Sequence, residues 1–221
     1  MLEVGRRSSQ LTKMMKLSAV LAFVFSMMIQ GATAQTVTIL ALGDSLTAGY
    51  GLQPSDAFPV KLETALRAKG HDVKVINAGV SGDTALDGLS RLDWSLSDDV
   101  DAVIVELGAN DALRGLPAKQ AETAIDGILS KLGERKLPAM LAGMRAPPNL
   151  GPEYQASFDG MFSKLAEKHG TLIYPFFLDG VAAEETLNQA DGMHPNPAGV
   201  DIIVSRILPK VEELIKKVVE K

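Results

Sequence analysis

Residues 37–47 read VTILALGDSLT. The run from Val37 to Leu42 is aliphatic and β-branched, and it stops at Gly43. An unbroken apolar run of this length suits a strand covered on both faces. The same pattern recurs along the chain. Val73 to Ile76 is closed by Asn77-Ala78-Gly79, and Ala102 to Leu107 stops at Gly108. Ala139 to Gly143 is a weaker fourth run, and Leu172 to Tyr174 is ended by Pro175.

Helical patterns fill the intervals. Pro59 is placed to open a helix that runs to about Lys69 and is stopped by Gly70. Leu86, Leu89, Leu92 and Leu96 fall at helical spacing. Pro117 opens another helix, with Ala121, Ala124, Ile125, Ile128, Leu129 and Leu132 on one face. Tyr154, Phe158, Met161, Phe162 and Leu165 form the next stripe. The last stripe runs from Val200 through Ile203, Ile207, Val211, Leu214 and Ile215 to Val218, and Pro209 is expected to kink or break its helix. These stripes read as core packing. Five strand–helix alternations imply parallel strands joined by right-handed crossovers. The expected fold is α/β, a three-layer α/β/α sandwich on a five-stranded parallel sheet.

The chain ahead of Val37 reads differently. Arg6, Arg7, Lys13 and Lys16 precede an apolar run from Leu17 to Ile29, which ends in Ala32-Thr33-Ala34. A spanning helix needs about 20 apolar residues, and this run is shorter. The order of basic, apolar and small-x-small segments is that of a secretory signal peptide. Residues 1–34 are therefore expected to be removed near Ala34, leaving residues 35–221 as one domain in the periplasm or outside the cell. Met14 is an alternative start. The remaining 187 residues hold 18 Lys and Arg against 26 Asp and Glu, a net charge of −8. That balance argues against nucleic acid as a partner, because phosphate binding needs a basic face. With no cysteine among 221 residues, disulfides, zinc–cysteine sites, iron–sulfur clusters and cysteine nucleophiles are excluded.

In a parallel sheet, ligands bind beyond the carboxyl ends of the strands. The first strand is followed by Gly43-Asp44-Ser45-Leu46-Thr47, the second by Gly79-Val80-Ser81-Gly82-Asp83, and the third by Gly108-Ala109-Asn110-Asp111. Asp191-Gly192-Met193-His194-Pro195-Asn196 precedes the last helix. A serine hydroxyl needs a base to become a nucleophile. His194 is the candidate base for Ser45, and Asp191 can fix its tautomer. The amides of Ser45 and Gly82 and the side chain of Asn110 are candidate donors to an oxyanion. Ser81 is a rival nucleophile in a segment that reads better as an oxyanion loop. His71 reads as solvated, and His169 as a helix-terminal cation. Asp44, Asp83 and Asp111 read as loop hydrogen-bonders, and no metal site is expected from them. Leu113, Arg114, Gly115 and Leu116 read either as a substrate-binding lip or as plain surface loop. The Gly-x-Ser-x-Gly elbow is absent around Ser45, where Thr47 takes the second glycine's place. No Gly-x-Gly-x-x-Gly or P-loop pattern follows the first strand.

The strings GDSLTAGYGL, NAGVSGDT, VELGANDALRG and DGMHPN together resemble the four blocks of the GDSL (SGNH) hydrolases. They are most similar to the bacterial thioesterase I, lysophospholipase L1 and arylesterase branch. The resemblance implies a flavodoxin-like fold, Ser45 as nucleophile, Asp191 and His194 as its partners, and Gly82 and Asn110 as oxyanion donors. It implies hydrolysis of a small acyl ester or thioester without metal or cofactor. Ala109 departs from the family, which often has glycine there. We expect a monomer that makes transient contact with membrane lipids. A carbohydrate O-deacetylase and a non-catalytic lipid-binding protein are the alternatives.

Overall fold

The computed structural model describes residues 36–220. The expected signal segment and its cleavage point lie outside the described residues. Five strands run in chain order: β1 (Val37–Gly43), β2 (Val73–Gly79), β3 (Ala102–Glu106), β4 (Ala139–Ala142) and β5 (Leu172–Tyr174). All neighbours are parallel, in the order β2-β1-β3-β4-β5. This is the flavodoxin-like order.

Among the described residues seven α-helices accompany the strands: α1 (Ser45–Ala48), α2 (Phe58–Ala68), α3 (Ala85–Ser95), α4 (Ala109–Leu113), α5 (Ala118–Glu134), α6 (Pro152–His169) and α7 (Pro197–Val219). Helix α2 packs beside α7, while α3, α5 and α6 pack in a row. These two groups are the outer layers of the sandwich. Every residue of β1, β3 and β4 is buried between them, which is why those segments read as continuous apolar runs. Strand β2 lies at the sheet edge and alternates buried with exposed residues over its first half. The largest fully buried side chains include Phe58, Phe158, Phe162 and Phe177. Phe58 meets Phe177 edge-on at 4.9 Å, the arrangement that ring quadrupoles favour.

Pro209 does not break its helix. Helix α7 runs through it as one element. The proline removes the N–H that would have bonded the Ser205 carbonyl. Both residues are exposed, so water can satisfy that carbonyl.

The order of the strands positions the site. From β1 the chain moves outward to β2, then returns across the sheet to β3. The loops after β1 and β3 therefore diverge, and a crevice opens beyond their carboxyl ends. Ser45 follows β1 and Asn110 follows β3. Gly82 arrives from the edge strand β2, and His194 from the segment that leads into α7.

Candidate active site

Ser45 is the first residue of the four-residue helix α1. Asp44, not Ser45, caps that helix: its Oδ1 accepts the Leu46 amide at 3.0 Å. A first-turn position leaves the Ser45 amide without an intrahelical acceptor, and no hydrogen bond is made from it. The Ser45 hydroxyl lies 2.9 Å from Nε2 of His194. His194 Nδ1 lies 2.6 Å from Oδ2 of Asp191. Oδ1 of Asp191 accepts the amides of Met193 and His194 at 2.9 and 3.0 Å. These amide bonds, followed by the imidazole, hold the Asp191 carboxyl down at about 2. It is anionic throughout the range in which an imidazole base operates.

The histidine segment is anchored at both ends. Asn196 caps α7 by accepting the amides of Ala198 and Gly199, each at 3.0 Å. The Gln189 amide donates to the His194 carbonyl at 2.7 Å, and its side chain donates to the carbonyls of Tyr50 and Pro195. The Tyr50 ring lies 4.7 Å from the imidazole. Gln189 holds the base loop against the serine loop, and spacing along the chain gives no hint of it.

The second-strand loop turns at Gly82, whose φ of +92° favours glycine. Its amide, like that of Ser45, makes no bond within the described residues. Its carbonyl accepts Nη2 of Arg114 at 2.6 Å. Nδ2 of Asn110 donates to Oδ2 of Asp44 at 3.1 Å and to the Asp83 carbonyl at 3.0 Å. Asp83 in turn holds Arg91 at 2.6 Å. Asp111 is fully buried, accepts the Ala85 amide at 2.8 Å and so ties α4 to the start of α3. Burial raises the Asp111 carboxyl above the ordinary aspartate range. Burial also pushes the Asp44 carboxyl up to about 6, against the pull of the Leu46 amide and of His194.

A cavity of about 290 Å³ opens beside the serine. Ser45, Asn110 and His194 form its polar side, and Leu46, Leu113, Met144, Leu178 and Met193 much of its apolar wall. Ala109 also lines it, so the family departure sits in the cavity wall. Of the expected lip, Leu113 lines the cavity, whereas Arg114, Gly115 and Leu116 do not. Arg114 is turned to Gly82, and the Leu116 carbonyl accepts the Tyr154 hydroxyl at 2.8 Å. The sequence reading missed Met144, Arg145, Leu178 and Met193 in this wall, because they come from three separate loops with no shared pattern. His71 and His169 lie elsewhere, paired with Glu212 at 3.0 Å and with Asp126 at 2.6 Å.

A hydroxyl on an imidazole, itself on a carboxylate, beside two unbonded amides and an apolar cavity, is the equipment of a serine hydrolase. The comparisons identify the kind. Residues 41–202 match the GDSL-like Lipase/Acylhydrolase family. The chain belongs to that family and is a serine esterase of it. It is 36% identical over 200 residues to "Esterase TesA" of Pseudomonas aeruginosa, covering 90% of this chain and 98% of that one. It is 37% identical over 201 residues to "Arylesterase" of Vibrio mimicus, covering 90% and 97%. The solved structure of AlinE4, "a SGNH-hydrolase family esterase", is 48% identical, covers 82% of this chain and 98% of its own, and superposes with a TM-score of 0.70.

Proposed function

We propose that Ser45 attacks the acyl carbonyl of a small carboxylic ester or thioester while Nε2 of His194 takes its proton. Asp191 holds the imidazole with Nδ1 protonated and stabilises the imidazolium. The amides of Ser45 and Gly82 and the side chain of Asn110 receive the oxyanion. His194 then protonates the leaving group, and water, activated by the same imidazole, releases the acid. The observation that carries this reading is the continuous chain from Ser45 Oγ through His194 to Asp191, at 2.9 and 2.6 Å.

The esterase names of the relatives favour ester hydrolysis over the carbohydrate deacetylase and over non-catalytic binding. The apolar cavity wall suits an acyl chain or an aryl group. The test is hydrolysis of p-nitrophenyl esters from acetate to palmitate, with acyl thioesters and a lysophospholipid alongside. We expect turnover that depends on chain length, and no turnover on any of them would overturn the reading.

Asn110 carries a specific expectation. Its amide is held at the cavity by Asp44 and Asp83 at 3.1 and 3.0 Å, and in this reading one of those hydrogens turns to the oxyanion as charge develops. Asn110→Ala is expected to lower kcat by about 10²–10³ with KM little changed. A loss below about threefold would remove Asn110 from the oxyanion site.

The chain acts, in this reading, as an exported monomer in the periplasm or outside the cell. The basic, apolar and Ala-x-Ala order of residues 1–34 supports export. No helix among the described residues is long and apolar enough to cross a membrane. Tyr50, Leu113 and Met193 are exposed beside the catalytic histidine and the cavity. They give the rim an apolar surface suited to transient contact with lipid.

A further inference from the structure

Glu106 closes strand β3, pairs in register with Gly43, and is fully buried. Its Oε2 lies 2.7 Å from the hydroxyl of Thr47 on α1. Its Oε1 has no hydrogen-bond partner. The space between is tight: a Cβ on Gly43 would fall 2.1 Å from the Thr47 hydroxyl and 2.8 Å from Oε2. Nothing in the proton relay from Ser45 to Asp191 uses this carboxyl.

An anion in that place would have the Thr47 hydroxyl and the amides of Asp44 and Thr47 as donors, and no cation. Arg91, which reaches the Gly43 carbonyl, is already bonded to Asp83. The other buried carboxyl at hand, Asp44, carries charge of the same sign. A buried charge without a partner is strongly disfavoured, whereas a neutral carboxyl leaves Oε1 as a carbonyl oxygen, the cheaper kind of orphan. Toward an ionised carboxyl the Thr47 hydroxyl donates to Oε2; toward a neutral one the hydroxyl turns and accepts the Oε2 proton.

We propose that Glu106 is a positioning residue for the esterase reaction, a neutral carboxyl beneath the Ser45 turn that ties the nucleophile's helix to strand β3 through Thr47. The proposal rests on Ser45 being the nucleophile. Helix α1 has only four residues and can hold its own geometry poorly. Asp44 caps it from the front, and Glu106 holds it from below. Burial, then the like charge of Asp44, pushes the Glu106 carboxyl well above the usual range, while the Thr47 hydroxyl and the amides of Asp44 and Thr47 pull the other way. The remaining charged groups around the pair are Asp83, Arg91 and His194.

Full-chain wild type, Glu106→Ala and Glu106→Gln are compared for kcat, KM, the rate of fluorophosphonate labelling at Ser45, and Tm against pH. Glu106→Ala is expected to lose about ten- to a hundredfold in kcat and in labelling rate with KM nearly unchanged. Glu106→Gln, neutral and of the same shape, restores both to within about threefold of wild type. Wild-type kcat in Glu106→Ala overturns the proposal, as does Glu106→Gln remaining as slow as Glu106→Ala. If Glu106→Ala does not fold, the glutamine variant decides by stability. In wild type the unfolded chain ionises Glu106 as pH rises past about 4.3, while the folded chain keeps it neutral, so wild type loses stability with rising pH and the variant does not. The Tm of Glu106→Gln minus that of wild type should rise from about pH 5 to about pH 8. A flat or falling difference overturns the neutral carboxyl. Absence of label at Ser45 in wild type would instead sink the nucleophile assignment, and the pH dependence of Tm would remain as a separate result.

Discussion

Ser45→Ala is expected to abolish the turnover of p-nitrophenyl esters while the protein stays folded. The Ser45 hydroxyl is the group hydrogen-bonded to Nε2 of His194. Its removal leaves the base with nothing to deprotonate in line with the cavity. The side chain is only half-buried and caps nothing, because Asp44 has that task. Little stability should therefore be lost. Removing a triad nucleophile costs about 10⁶ in kcat and leaves the weaker catalysis of the oxyanion donors and of binding. Steady-state rates, with circular dichroism as the folding control, check this. Activity above about one per cent of wild type would contradict it.

Asp191→Asn has the next largest expected effect, for a reason visible in the local bonds. Oδ1 of Asp191 accepts two amides, and Oδ2 faces Nδ1 of His194. In the variant the amide oxygen must take the site that faces two N–H donors. The NH₂ group is then aimed at Nδ1, which must become an acceptor. That forces the proton onto Nε2, the atom that has to receive the Ser45 proton. The variant thus holds the wrong tautomer in an intact frame, and kcat is expected to fall by about 10⁴. The imidazolium also loses its anionic partner, since Asp191 is held at about 2 and is charged at neutral pH. A loss under about tenfold would show that His194 is oriented by something else.

The strands were legible because a glycine or proline lies at or just beyond each end, although β2 runs on through Asn77 and Ala78 to Gly79, the segment read as closing it. Leu172–Tyr174 coincides with β5, and Val37–Leu42 differs from β1 by one residue. Helix starts at Pro59 and Pro117 fall within one residue of α2 and α5 for a similar reason. Pro209 does not break its helix, because the cost of a proline depends on whether the freed carbonyl is buried, and sequence does not say that the Ser205 face is exposed. That Ser45, Asp191, His194, Gly82 and Asn110 would lie on one rim was legible because ligands gather where parallel strands end. Glu106 was read only as part of the AVIVEL strand. Its burial beneath α1 depends on the register of β1 with β3, which no local pattern specifies. Arg114 was read as part of a lip, and its bond to Gly82 spans 32 residues. The cavity wall was illegible for the same reason.

Everything proposed for this site turns on Ser45 being the nucleophile. The most direct test is to expose the folded protein to a fluorophosphonate and locate the adduct by peptide mass spectrometry. The account predicts one phosphonyl group per chain, on Ser45, appearing in step with loss of esterase activity and absent in Ser45→Ala. An adduct on Ser81 or elsewhere, or full activity with no adduct at all, would contradict it.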